Sequence, residues 1–254
     1  MFKELFRKLR VKKANKNFPH LSKSENSKII DNNIDLIGEG YYGTVDLHNL
    51  IIQNKKNPNF APKNRSFIIK KFKKSSSCEN SFQIYKKLIQ NQIPTYTTYR
   101  KISDNKIIMT NLIKNHHFCI GVGEGNIEKG IDAQHIINLG GFIELINFEK
   151  SINTIIELTI KASKKNIQLP LDSYFIIGNL SQSPEISFFI GDFDEIKFNQ
   201  KNILITNMSE LYSVINSFLL TFVNSPNKSF YNKLVNEKFS TFGVTNSQRK
   251  NKNN

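Results

Sequence analysis

The sequence predicts an α+β protein of two lobes, the first rich in β-strands and the second short and mainly helical. Three observations carry that expectation. Up to about residue 112, apolar residues alternate with polar ones in short runs, broken by one stretch at helical spacing. From about residue 132, helical spacing dominates and only two strand-like runs interrupt it. The chain has 254 residues, 39% apolar and 22% charged, which is enough to bury a core. No apolar run approaches the ~20 residues of a membrane-spanning helix.

The first expected element is a short basic amphipathic helix at residues 2–13. Phe2, Leu5, Phe6 and Leu9 recur at helical spacing, while Lys3, Arg7, Lys8, Arg10, Lys12 and Lys13 lie mostly around the other side. Such a helix suits an anionic membrane surface or a protein contact, its own domain included. Residues 14–30, rich in Asn, Ser and Lys, read as a linker, so 1–30 form an arm ahead of a first lobe at 31–113. That lobe opens with the alternating run Ile34-Asp35-Leu36-Ile37, then Gly38-Glu39-Gly40-Tyr41-Tyr42-Gly43-Thr44-Val45. Strand formers continue to Ile52, a polar connection covers 53–65, and Ser66–Phe72 reads as the next strand. Phe82, Tyr85, Leu88 and Ile89 are spaced for a helix that ends before Ile93-Pro94. Two further strands, Tyr96–Ile102 and Lys106–Leu112, flank the turn Ser103-Asp104-Asn105.

The second lobe, 114–243, begins with a glycine-rich stretch at 121–130 that reads as a link. Helical patterns follow at 132–139 and 148–165, then short strands at Ser173–Ile177 and Ile186–Ile190. The acidic cluster Asp192-Phe193-Asp194-Glu195 comes directly after the second strand. Helices at 207–223 and 227–238 complete the lobe, and 244–254 read as a disordered basic tail.

A net charge of +15 invites a nucleic-acid partner, but its distribution argues otherwise. Residues 1–30 carry nine basic and two acidic groups, and residues 31–113 carry thirteen and six. Residues 114–243 are slightly acidic, with eleven basic groups against thirteen acids. The excess therefore sits on an arm, one lobe and the tail, and no specific nucleic-acid partner is expected. Cys78 and Cys119 are the only cysteines, which excludes a disulfide framework and a four-cysteine zinc site. His116-His117-x-Cys119 has metal-ligand types but no fourth partner at a standard spacing. The N-terminus lacks an apolar signal core, so a cytoplasmic location is expected, peripheral to a membrane if the 2–13 helix binds one.

A glycine-rich turn lets backbone N–H groups approach phosphate oxygens. A dinucleotide fingerprint needs a helix after the glycines and an acid ~20 residues on; here a strand follows and no acid lies near position 60. Gly38, Gly40, Gly43 and Val45 instead fill the pattern G-x-G-x-x-G-x-V, with a strand ending in Lys70 behind it. With these residues the sequence resembles the protein-kinase-like superfamily, in a compact and divergent form. The resemblance implies a two-lobed kinase-like fold, in which the glycine loop covers ATP phosphates and Lys70 contacts the α- and β-phosphates. Phe67-Ile68-Ile69-Lys70 stands where V-A-I-K is usual. The family pairs this lysine with a helix glutamate; Glu79 is the candidate, and Gln83, one turn later, is the alternative. Ile108-Met109-Thr110-Asn111-Leu112 matches the gatekeeper and hinge, so Met109 and Asn111 are expected beside adenine.

Ile190-Gly191-Asp192-Phe193-Asp194 resembles the D-F-G segment, which implies that Asp192 binds Mg²⁺; Asp194 replaces the glycine. The catalytic loop is degraded. Asn166–Ile177 contains no H-R-D, and Ile177 stands where an asparagine would hold a second metal. Asp172 is the acid in reach, as an acceptor-orienting base, a metal ligand or a plain loop cap. Nothing resembles A-P-E, and 62 residues after Asp192 are too few for a full peptide-docking lobe. The resemblance thus implies an ATP-dependent phosphotransferase using Mg²⁺, with an unidentified hydroxyl acceptor, protein or small molecule. The rival expectation is a pseudokinase, a nucleotide-binding or protein-interaction module without catalysis.

Overall fold

Local alternation becomes a sheet only where a second segment supplies pairing, and the N-terminal region shows this directly. The computed structural model describes residues 27–39, 41–54, 63–112, 117–121, 130–131, 133–138 and 140–244. The expected helix at 2–13, residues 14–26 of the linker, Gly40, residues 122–129 and the tail beyond Val244 lie outside the described residues. The chain divides into two units: Met1–Lys86 with Tyr96–Asn111, and Lys87–Thr95 with Leu112–Asn254. The fold class is α+β, with antiparallel sheets and five helices among the described residues.

The first unit holds a five-stranded sheet in the order β1-β2-β3-β5-β4. Its strands are β1 (Ser27–Glu39), β2 (Gly43–Asn54), β3 (Lys63–Phe72), β4 (Tyr99–Ser103) and β5 (Lys106–Thr110). Helix α1 (Ser75–Gln90) enters between β3 and β4 in sequence. Residues 27–30, read as linker from their composition, are strand, because Ile29 and Ile30 stand opposite Ile52 and Ile51. That is a cross-strand partnership no local window contains.

Strand alternation gives the sheet two distinct faces. Val45, Lys70, Ile107 and Lys101 are register partners in turn across β2, β3, β5 and β4, and so share one face. Helix α1 covers that face: Ser81 Oγ lies 2.7 Å from Tyr99 OH, and the Tyr85 and Tyr99 rings are 4.8 Å apart. The opposite face carries Ile69 and Ile108, both fully buried, and Asp46, which pairs with Lys71.

Among its described residues the second unit has four helices and a four-stranded antiparallel sheet in the order β7-β6-β8-β9. Strands β6 (His117–Gly121) and β7 (Gly130–Ile131) precede α2 (Ala133–Asn138) and α3 (Phe148–Lys164). Strands β8 (Tyr174–Asn179) and β9 (Ile186–Ile190) follow, then α4 (Leu204–Phe222) and α5 (Ser225–Ser240). The sequence pattern anticipates β8 and β9 but not β6. Five residues between polar segments give little period, and β6 is defined by pairing with β8, where Cys119 faces Ile177.

Helix α4 buries a full stripe, Met208, Leu211, Ile215, Phe218 and Phe222, against its neighbours. It packs on α3 and α5, and α3 packs on β9. The rings of Phe118, Phe142, Phe218 and Phe222 follow one another at 5.0, 6.1 and 5.7 Å, forming the aromatic centre of this unit. Each such buried ring contributes on the order of 1.5–3 kcal/mol relative to exposure. Asn147 precedes α3 but does not cap it with its side chain. Its amide instead pairs with the backbone of Ile186, accepting from the N–H at 2.7 Å and donating to the carbonyl at 2.8 Å, so α3 is fixed to β9.

Candidate functional site

The glycine hairpin and Lys70 are brought together by the first sheet. Gly38 pairs with Val45, Val45 with Lys70, and Lys70 with Ile107, so one row crosses β1, β2, β3 and β5. Val45 and Lys70 are half-buried. The Lys70 ammonium lies 5.2 Å from the centre of the Phe72 ring, two residues along on the same face, within cation–π range. Gly43 serves the hairpin first: a Cβ there would fall 1.8 Å from the Lys71 carbonyl oxygen. Only glycine lets β2 run that close to β3 at the loop mouth, where Lys73 N–H also donates to the Tyr42 carbonyl at 2.8 Å. Tyr41, at the turn, is 86% exposed.

The two helix candidates, Glu79 and Gln83, are bonded to each other. Gln83 Nε2 donates to Glu79 Oε1 at 2.6 Å, one turn apart. The other oxygen of Glu79 takes the Lys101 ammonium of β4 at 2.6 Å. The Lys101 bond, then that of Gln83, holds the Glu79 carboxyl below its usual range, and Lys101 is raised in return. Glu79 is thus tied to Lys101 on one side and to Gln83 on the other. Met109 is buried at 6% exposure between Ile68 and Tyr99 in register, as a core residue is. Asn111 is 9% exposed, and its amide donates to Ser66 Oγ at 2.7 Å.

In the second unit, two segments run side by side. Helix α3 ends where Asn166 takes φ 57°, with Asn166 N–H bonded to Ser163 O and Ile167 N–H to Ala162 O, each at 3.0 Å. This is the Schellman arrangement, and asparagine tolerates its left-handed position well. The chain then passes through Leu169-Pro170 into a single 3₁₀ turn, Leu171–Ser173. The β8–β9 hairpin after it returns to Gly191, whose N–H donates to Ser173 O at 2.9 Å. Gln168 and Lys197 exchange backbone bonds of 2.8 and 3.3 Å, and Gln200 N–H reaches Asn166 O at 3.0 Å. The three ties hold 166–173 against 191–200. The bond between Ser173 and Gly191 thereby sets Asp172 and Asp192 next to each other.

Gly191 is required by packing, since a Cβ would meet the stacked rings of Phe175 and Phe189 at 2.7 Å each. Phe193 is buried at 1% and anchors the turn, while Asp192 and Asp194 are half-buried and Glu195 is exposed. Asp192 Oδ1 accepts from the Asp194 N–H at 3.3 Å. Asp172 bears the electrostatic consequence. Burial first, then the charges of Asp192, Glu195 and Asp194, push its carboxyl up to about 6. Oxygen donors of this kind suit a hard cation such as Mg²⁺, which would relieve the crowding. Among the described residues, no group of three or more His, Cys, Asp or Glu converges on one point. A Mg²⁺ here would therefore take one or two carboxylates, with ligand oxygens and water completing its shell.

The sign of a pH effect follows from these groups. Asp172 is raised above its unfolded value of 3.8, so ionising it opposes folding. Stability is unaffected below that value and falls as pH rises through about 6. Asp172→Asn is expected to melt higher than wild type at pH 8 and equally at pH 4, measured by thermal unfolding without divalent cations. Equal melting at both pH values would remove the crowded-carboxylate account.

One organising residue escapes motif reading. Asn207, in the first turn of α4, is fully buried and makes three hydrogen bonds. Its Oδ1 accepts from Leu169 N–H at 2.9 Å, and its Nδ2 donates to Ser163 Oγ and Ile167 O, each at 2.9 Å. It thus holds the end of α3 and the segment leading to Asp172. The available signal was an amide at position 207 on the spacing that runs through Leu211, Ile215 and Phe218. Two surface hollows beside α3 and α5, lined by residues such as Lys150, Thr154, Lys233 and Glu237, include none of the candidate residues.

No protein-family model and no curated protein matches this sequence. Among the described residues, no helix is long and apolar enough to cross a membrane.

Proposed function

We propose that the chain is an ATP-dependent phosphotransferase of the protein-kinase-like type, with a two-lobed kinase-like fold. The observation that carries this is the register of the first sheet. It seats Lys70 directly across from Val45, at the mouth of a glycine hairpin, in a sheet ordered β1-β2-β3-β5-β4 with α1 inserted after β3. In this proposal the hairpin backbone and Lys70 bind the phosphates of ATP, and Met109 and Asn111 lie toward the adenine. Asp192 supplies a carboxylate to Mg²⁺, which when bound would neutralise phosphate charge. Asp172, its carboxyl raised to about 6, is suited to accept a proton from a hydroxyl acceptor at neutral pH. The acceptor is a hydroxyl of a protein or small molecule.

Incubation with γ-labelled ATP and Mg²⁺ tests the activity, with release of labelled phosphate and self-labelling as readouts. Turnover is expected in the wild type, to fall at least 100-fold in Asp192→Ala and at least tenfold in Asp172→Asn. Turnover equal in all three proteins would contradict the assignment.

A second reading, a nucleotide-binding module without catalysis, rests on Ile177. That residue lies inside β8, paired with Cys119 and Ser187, and offers no oxygen for a second metal. ATP binding without any turnover would favour it.

A further inference from the structure

Lysines gather where α3 ends and α4 begins. Gln168 and Lys197 exchange backbone bonds and Gln200 N–H meets Asn166 O, which sets residues 164–168 beside 197–200. Asn207 joins the first turn of α4 to the same place through Ser163 Oγ and Ile167 O. Lys164, Lys165, Lys197 and Lys201 are exposed there, and among the described residues none of the four is in an ion pair. At the rim, the Lys161 ammonium donates to Gln92 O at 2.8 Å, and that of Lys87 lies 5.2 Å from the Phe198 ring centre. Residues 161–168 and 195–206 carry five lysines and one acid, Glu195, whereas the rest of 114–243 has six basic groups against twelve acids. The C-terminal end of a helix attracts cations, which accounts for Lys164 and Lys165. It does not account for Lys197 and Lys201, which lie outside any helix. Beside Lys201, Leu204 is 38% and Ile205 56% exposed.

We propose that this surface docks a short acidic segment of another protein, with an aliphatic side chain among its Asp and Glu residues. Ammonium groups that lack carboxylate neighbours repel one another, and an anionic partner removes that repulsion. Extent and the apolar pair distinguish among anions. Residues 197–201 span at most about 14 Å, the length of about four extended residues. A nucleic-acid duplex or a bilayer is far larger. Either would extend over the acids that flank the cluster on the same elements, Glu157 on α3 and Glu210 on α4, as well as Glu195. A phosphate backbone also offers nothing apolar to Ile205, whereas a Leu or Ile beside acidic residues takes both side chains out of water. Separate lysine ammoniums suit carboxylates scattered along an extended segment, since each acts as a point charge without a fixed bidentate geometry. The docking is independent of the phosphotransferase proposal.

Fluorescence anisotropy with the full-length chain tests it, the probe being a labelled heptapeptide of one Leu flanked on each side by three acidic residues. The double variants Lys164→Ala/Lys201→Ala and Lys150→Ala/Lys233→Ala each remove two exposed charges, so a difference between them reports place and not total charge. All four changes are on the surface, and both variants are expected to melt with the wild type. At about 100 mM salt the first is expected to bind the peptide about fivefold more weakly than wild type, and the second equally well. A peptide with Ser in place of its Leu is expected to bind the wild type at least twofold more weakly. No binding by the wild type, an equal loss in both variants, or indifference to the Leu overturns the proposal. So does tighter binding of a duplex oligonucleotide or of phosphatidylserine–phosphatidylcholine vesicles that only the first variant loses, which would assign these lysines to phosphate.

Discussion

Replacing Asn207 by alanine is expected to destabilise the second unit by about 3–5 kcal/mol, among the larger single-residue effects the fold allows. The side chain is fully buried and satisfies three groups from two segments: Leu169 N–H, Ile167 O and Ser163 Oγ. Truncation leaves all three facing a small cavity. Each stranded buried polar group costs ~1–3 kcal/mol, partly recovered if water enters. Asn207→Asp separates the components, because it retains an acceptor for Leu169 N–H while losing both donors and introducing a buried charge. It is expected to be as destabilised as the alanine variant at pH 8, and less so at low pH, where the carboxyl is protonated. Chemical unfolding at both pH values measures this. A loss below 1 kcal/mol in Asn207→Ala would mean the loop leading to Asp172 is held by other contacts.

Gly43→Ala is the second large effect. Its Cβ would overlap the Lys71 carbonyl oxygen at 1.8 Å and approach the Phe72 Cα at 3.0 Å, both backbone atoms. No rotamer change relieves that overlap. Strands β2 and β3 must separate at the loop mouth, weakening the ladder where Val45 faces Lys70. A cost of about 2–4 kcal/mol follows from strain of this kind. Faster hydrogen exchange at residues 43–45 and 70–73 should accompany it. An alanine variant with wild-type stability and exchange would show that the hairpin tolerates a wider opening.

Each candidate motif is local, so it can be read along the chain. Pattern alone points to Gly38 to Val45 and to Lys70, and antiparallel register supplies their adjacency. Asp172 and Asp192 lie 20 residues apart in the sequence, and the Ser173–Gly191 backbone bond makes them neighbours. What escaped sequence reading depends on distant partners. Strand β6 has meaning only against β8, and residues 27–30 only against the end of β2. The bond from Glu79 to Lys101 joins a helix to a cation on another strand, which no local pattern contains. Asn207 carries no motif, and a polar residue on an apolar stripe shows its role only once its three partners are in place.

Thermal unfolding measures the proposed parts of Lys70 and of Asp192 in binding ATP and Mg²⁺. A ligand held by the native state adds about 2.7 kcal/mol of stability at a hundred times its Kd, several degrees for a chain of this size. Wild type is expected to melt higher with ATP and Mg²⁺ than with either alone, and Lys70→Ala and Asp192→Ala to lose that increment while melting normally without ligand. No rise in the wild type at millimolar ATP and Mg²⁺, or an equal rise in all three proteins, would contradict the nucleotide site.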